Sequence, residues 1–374
     1  GQEYERQAQK LIVNVKDLFA EAVDKVAKLE PIDSVKKLGL DSHFDVEIKK
    51  ALDILSSTKN KNPSPKEDLY TTALCSRLLR QHGYEVSQDM FGGFLDEKAG
   101  LFKKSTRTNI KRMLELLEAS HLALEGEDLM DAARDFSTET LKDCIPNLDC
   151  DLAEQVSHVF ELPSQRRLQW FDVKWHINAY EKDRHMNAML LELAKLHFNI
   201  VQATLQKELR ESSRWWRNLG LSKDLSFAKD RLAESFMCSV GFAFEPKYTY
   251  LRKSLTKVTN LIAIIDDVYD VYGTLEELKL FTNAVNSGQI FVMHYLWKQS
   301  GTINMGYTPS LQEYLSNAWI SSAGAIFLVH QFFSIGPEVT KGMEDFLEKN
   351  QEIAKQERGD ASSSIVCYMR EANV

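Results

Sequence analysis

Leu11, Val15, Leu18, Phe19, Val23, Val26 and Leu29 recur at steps of three and four residues, an amphipathic stripe of the kind helices bury. Pro31 is the expected stop, and Ile48, Leu52 and Leu55 resume the pattern after a short break. Residues 56–67 are polar, carry Pro63 and Pro65, and read as a connecting loop. A helix is predicted over 68–81, closed by His82-Gly83-Tyr84, with Gly83 suited to the left-handed position after a helix end. Residues 90–93 and 96–100 are turn-rich. Residues 108–118, 128–134 and 138–144 read as short helices with Ser, Thr or Asp available as caps. The second half differs: 189–211 is one long helical pattern, and 225–240 and 248–272 are further helices separated by Phe244-Glu245-Pro246. No strand alternation and no internal repeat is found. The pattern predicts an all-α chain of two helical domains, 1–184 and 185–374, divided where short capped helices give way to long apolar ones.

Composition sharpens this picture. Glycine (17) and proline (8) are scarce in 374 residues, where average usage would give about 26 and 19. Turn-rich β architectures need those residues at their corners and are disfavoured. A hydrophobic share of 44% supplies a large core. No apolar run reaches the ~18 residues a membrane span requires. The net charge of −8 argues against nucleic acid as a partner. The five cysteines, Cys75, Cys144, Cys150, Cys238 and Cys367, contain no CxxC pair, so neither a zinc ribbon nor a disulfide framework is expected. Gly1-Gln2-Glu3-Tyr4 is neither a signal nor a transit peptide.

The chemistry concentrates in Asp266-Asp267-Val268-Tyr269-Asp270-Val271-Tyr272-Gly273. On an α-helix Asp266 and Asp270 share a face one turn apart, and Asp267 lies about 60° from Asp270. The three repel one another, and a helix C-terminus disfavours anions. No Lys or Arg lies between Lys257 and Lys279 to neutralise them. Oxygen-only ligands in an apolar frame invite Mg²⁺ or Mn²⁺ rather than zinc or copper. An arbitrary acidic triplet is more often a solvated helix end. Here the flanking Ile and Tyr residues and the upstream basic pair Lys229 and Arg231, able to clasp phosphate oxygens, favour a metal site.

Arg214-Trp-Trp-Arg217, Lys229-Asp-Arg231, Phe244-Glu-Pro246, Asp266-Asp-Val-Tyr-Asp270 and Arg358-Gly-Asp360 occur in the order seen in plant terpene synthases. So do Asp68-Leu-Tyr-Thr-Thr-Ala-Leu, Phe94-Leu-Asp-Glu-Lys98 and Leu122-Ala-Leu-Glu-Gly-Glu127. Over essentially its whole length the chain resembles that family, and within it the angiosperm monoterpene branch. The resemblance implies a class I terpenoid synthase α-barrel at the carboxyl end and an amino-terminal α-barrel relic without chemistry. It implies Asp266 and Asp270 as ligands of Mg²⁺, with Asp267 an auxiliary ligand or the partner of a basic residue, and three ions in all. Lys229 and Arg231 correspond to an Arg-x-Arg diphosphate clamp; lysine keeps the charge and loses the bidentate fork. Cys238 falls at a pocket position usually aromatic, and Phe242, Tyr272, Ser321 and Tyr368 are further candidates for the lining. The implied reaction is metal-triggered ionisation of an acyclic prenyl diphosphate, geranyl diphosphate first, to a monoterpene and free diphosphate. A sesquiterpene or hemiterpene synthase of the same fold is the alternative. The resemblance also implies a plastid stromal protein once a transit peptide is removed, or else a cytoplasmic one, and a monomer or homodimer.

Beyond Lys229 and Cys238, the chain departs from the family in two stretches. The second metal motif, Asn/Asp-Asp, then Ser/Thr, then Glu, is expected shortly before Arg358, where Glu348-Lys-Asn-Gln-Glu352-Ile-Ala-Lys-Gln-Glu357 stands instead. The passage from Asn283-Ala-Val285 to Asn286-Ser-Gly288 is shorter than the family pattern. One carboxylate cluster does not readily hold three ions, so a non-catalytic diphosphate-binding helical protein is the rival from another class. A chain-elongating prenyltransferase would carry a second aspartate-rich motif, and none is present. Arg166-Arg167 with Trp170 and Trp175 reads as a helix-surface pair, and nine scattered histidines form no HExxH.

Overall fold

The computed structural model describes residues 2–20, 24–58, 68–96, 100–227 and 229–287. Their regular elements are helices, as the periodicity predicts. Among the described residues there is no β-strand, only an isolated antiparallel bridge between Leu95 and Phe102. The chain divides into two compact units, Gly1–Ala203 and Thr204–Val374.

In the first unit the helices are α1 (Gln2–Ala20), α2 (Lys25–Lys37), α3 (Asp45–Thr58), α4 (Leu69–Gln81), α5 (Ile110–Ser120), α6 (Asp128–Cys144), α7 (Cys150–Glu161), α8 (Gln169–Lys182) and the start of α9 (Ala188–Leu219). Asp68 caps α4 by accepting from the Tyr70 and Thr71 amides, and Gly83 follows its end at φ +79°. Helix α5 packs between α4 and α6, burying Ala73, Met113, Leu116, Leu117, Met130 and Ala133 in one cluster.

Two local expectations fail in this unit. The stripe does not stop at Pro31, because α2 runs through it. An interior proline costs about 3 kcal/mol, but Leu29, Ile32 and Val35 are all completely buried. Burial of each such side chain contributes roughly 1.5–3 kcal/mol, so packing outweighs the lost backbone bond. The separate pieces 128–134 and 138–144 are one helix. Ser137 donates to the Ala133 carbonyl and Thr140 to the Phe136 carbonyl, each at 2.7 Å, so these hydroxyls are satisfied inside α6 instead of ending it.

The second unit holds the remainder of α9, the short α10 (Leu221–Asp224), α11 (Leu232–Phe242), α12 (Thr249–Asp267) and α13 (Leu275–Ser287). Helices α11 and α12 pack together, with Thr256 Oγ1 donating to Ser239 Oγ at 3.1 Å in their seam. Trp216, Leu232 and Ile264 form a buried cluster against which Trp215, Leu221 and Leu225 pack. The helix expected over 225–240 begins only at Leu232. Asp230 accepts from the Leu232 amide at 3.1 Å, a local bond that competes with helix and leaves the Lys229–Arg231 stretch as loop.

Candidate active site

Helix α12 buries Leu251, Leu255 and Ile264 and delivers Asp266 and Asp267, both half-buried, to its last turn. Beyond Asp267 the backbone widens into a π-turn over Val268–Tyr272, closed by the Gly273 amide donating to the Val268 carbonyl at 2.7 Å. Asp270 therefore sits on this wider turn and not on the regular α-helix that the one-turn spacing assumed; such π-turns are frequent at functional sites. Gly273 is required by space. A Cβ there would lie 2.6 Å from Leu278 Cδ2 and 2.7 Å from the Val268 oxygen. Thr274 and Glu277 then start α13 as a capping box. The Thr274 amide and hydroxyl donate to Glu277 Oε2 at 3.0 and 2.6 Å, and the Thr274 hydroxyl holds the Glu277 carboxyl below its ordinary range. Val268 and Gly273 thus end one helix, and Thr274 and Glu277 begin the next.

The loop before α11 meets this segment twice. Arg231 Nη2 donates to Asp267, at 3.1 Å to Oδ1 and 3.4 Å to Oδ2. Phe227 stacks on Tyr272 with ring centroids 4.3 Å apart and planes 15° from parallel. Asp267 is therefore not left uncompensated, as counting charges along the sequence suggested; its cation comes from 36 residues upstream. Lys229 is exposed beside it in sequence. The structure thus pairs Arg231 with Asp267 and, separately, Phe227 with Tyr272. Cys238 and Phe242 lie on α11 and are exposed, and Ser321 and Tyr368 lie outside the described residues.

Sequence reasoning passed over Arg252. It is completely buried in α12, pairing with Glu208 of α9 through Nε–Oε2 and Nη2–Oε1 contacts of 2.8 Å. Its Nη1 donates to the carbonyls of Ala243 and Glu245 at 2.6 Å each. This side chain fixes the Phe244-Glu245-Pro246 corner between α11 and α12, and so the register of the acidic end. The available signal was an arginine beside Leu251 and Leu255, one turn before Thr256 and two before Asn260 on the buried face of the helix.

The donor set at the end of α12 is carboxylate oxygen, which fits a hard divalent cation, and the guanidinium beside it can bond either carboxylate or phosphate oxygens. Helical among its described residues, the chain thus sets carboxylate oxygens able to hold a divalent cation beside a guanidinium able to bind phosphate oxygens. Residues 1–160 match the model of the terpene synthase N-terminal domain, and residues 217–303 and 288–356 match that of the terpene synthase family metal binding domain. The α-farnesene synthase of Ricinus communis is 47% identical, covering 100% of this chain and 78% of its own. The (E,E)-α-farnesene synthase of Malus domestica is 48% identical over 100% of this chain and 76% of its own. The (−)-α-terpineol synthase of Vitis vinifera is 39% identical over 99% and 74%. The crystal structure of isoprene synthase from grey poplar leaves, in complex with three Mg²⁺ ions and dimethylallyl-S-thiolodiphosphate, superposes with a TM-score of 0.87 at 36% identity, covering 99% of this chain and 83% of that one. The chain belongs to the terpene synthase family. Its alignment to the Ricinus enzyme runs over 441 positions, 67 more than the 374 residues of this chain. The metal-binding match is likewise split into two overlapping runs, as an internally shortened chain would give.

Proposed function

We propose that this terpene synthase ionises farnesyl diphosphate and converts the resulting cation to a fifteen-carbon terpene. The observation that carries the chain length is the identity of 47–48% to two farnesene synthases, against 39% to the terpineol synthase. Geranyl diphosphate, the expectation from sequence, is the second reading, supported by the terpineol relative and by the order of motifs. We assign residues 1–184 as non-catalytic and 185–374 as catalytic; the metal-binding match starting at 217 supports this. Several similar synthases are chloroplastic by name, which supports the plastid expectation.

Asp266, Asp267 and Asp270 would hold Mg²⁺, three ions when the ligand set is complete, and the bound ions would neutralise charge on the diphosphate as its carbon–oxygen bond breaks. Both electrons of that bond leave with the diphosphate oxygen. Arg231 and Lys229 bind those oxygens, and Arg231 shifts its charge-assisted bonds from Asp267 to the departing group as charge builds there. Tyr272 and Phe242 offer ring faces to the allylic cation, each well-placed ring contributing of order 1–2 kcal/mol. Proton loss gives an olefin, and late capture of water gives an alcohol.

Product analysis with dimethylallyl, geranyl and farnesyl diphosphate in turn, in the presence of Mg²⁺, tests this reading. A dominant fifteen-carbon product supports it, and a dominant ten-carbon product supports the geranyl reading. Diphosphate binding without any product supports the non-catalytic rival, which the missing second metal motif favours.

A further inference from the structure

We propose that His158, Asp172 and His176 form a binding site for a divalent transition metal of the Zn²⁺ class in the first unit. Helix α7 supplies His158, and α8 supplies Asp172 and His176 one turn apart on one face. His158 Nε2 lies 2.9 Å from Asp172 Oδ1, and His176 Nε2 lies 3.0 Å from Asp172 Oδ2. The three ligand atoms are all within 4.8 Å of one another. Zinc bonds of about 2.0–2.2 Å place neighbouring ligand atoms roughly 3–3.5 Å apart, so small outward shifts would admit the ion. Two imidazoles and a carboxylate are a donor set that zinc accepts, leaving one position for water.

The surroundings hold these groups in place. The side chains are 12%, 11% and 16% exposed for His158, Asp172 and His176. Trp175 lies flat on the His158 ring, with centroids 3.6 Å apart and planes 4° from parallel. Arg167 donates to the His158 and Leu162 carbonyls and so fixes the turn between α7 and α8. Its guanidinium, 3.5 Å from Asp172 Oδ1, also faces Glu161 at 3.7 Å, which offsets part of the charge a cation would meet. Arg167 is thus a half-buried brace, while Arg166, the other member of the expected surface pair, is exposed.

The observation that separates a metal site from a plain ion-pair network is at His158. Its Nε2 is buried and makes no aligned hydrogen bond, although a carboxylate oxygen is 2.9 Å away. A buried polar atom near a partner but not bonded to it calls for an explanation, and a shared cation supplies one.

The test uses the full chain, incubated with Zn²⁺ in excess Mg²⁺, desalted, and analysed for retained zinc. The native chain and Asp266→Asn should each keep one equivalent that His158→Gln and His176→Gln lose. Co²⁺ added to the native chain should give the visible bands of four-coordinate cobalt with nitrogen ligands. The proposal is overturned if the native chain keeps no zinc, or if the folded histidine variants keep as much as the native chain. It is also overturned if the equivalent disappears only in Asp266→Asn. Where the histidine variants fail to fold, absence of the cobalt bands in the native chain overturns it.

Discussion

In the first unit Arg77 of α4 lies between Asp33 of α2 and Glu115 of α5, at 2.7 and 2.5 Å, with all three side chains at most 15% exposed. In the second, Arg231 reaches Asp267 from a loop, and its side chain is 40% exposed. Both are arginine–carboxylate contacts, but their surroundings differ. Burial opposes the charge on Asp33, and Arg77 and Lys37 outweigh it, holding that carboxyl well below the usual carboxylate range. Arg77 is held above its ordinary value by the same two carboxylates despite its own burial. Every charge there is committed to a protein partner, so the cluster ties three helices and has no capacity for a ligand. At the end of α12 a solvent-facing guanidinium can be exchanged for another partner, and adjacent carboxylates at a helix C-terminus gain from an added cation. The proposed function makes the accessible cluster the working site and the closed one architecture.

The sharpest way to break this comparison is Asp266→Ala. Loss of a metal ligand should remove several kcal/mol of transition-state stabilisation, at least about 100-fold in turnover. The thermal midpoint should hold or rise, because like-charge repulsion in α12 is relieved. Arg77→Ala should do the reverse. It strands two buried carboxylates and should cost about 3–5 kcal/mol of stability, read by denaturant unfolding.

Arg231→Ala should remove charge-assisted bonds worth about 1.5–3 kcal/mol, a fall of about 10- to 150-fold that appears mainly in kcat. Lys229→Arg should leave activity equal or higher, since it restores the fork. Unchanged kinetics in Arg231→Ala would reduce its contact with Asp267 to a surface ion pair.

The smallest effect belongs to the first unit again. Burial, with the charge of His43 next, pushes His197 down to about 4, and His197 Nε2 approaches no partner while Nδ1 lies 3.2 Å from His43 Nε2. The unfolded chain, with a histidine near 6.5, binds more protons between those values. Stability present above pH 6.5 should therefore fall progressively toward pH 4, by roughly 1–2 kcal/mol between pH 7 and 5. Urea midpoints at the two pH values measure it, and His197→Gln should flatten the difference.

Much of this was legible from local patterns. Ile48, Leu52 and Leu55 lie on the buried side of α3, Asp68 and Gly83 bracket α4, and the acidic motif ends α12 as its sequence position suggests. The failures share a cause, which is that long-range packing and side-chain bonds are invisible to periodicity. Pro31 is overruled by a buried face, Ser137 and Thr140 join two helical pieces, and Asp230 delays α11. The partner of Asp267 and the anchoring by Arg252 both depend on residues more than thirty positions apart in the chain. The π-turn after Asp267 depends on Gly273 fitting against Leu278, a contact that no spacing rule registers.

Release of inorganic diphosphate from farnesyl diphosphate tests the central claim most directly, followed with and without Mg²⁺ in the native chain and in Asp266→Asn. Release by the native chain with Mg²⁺, and by neither the variant nor the metal-depleted chain, is the expected result. No release by the native chain, or equal release by Asp266→Asn, would contradict the assignment of the acidic helix end as the working site.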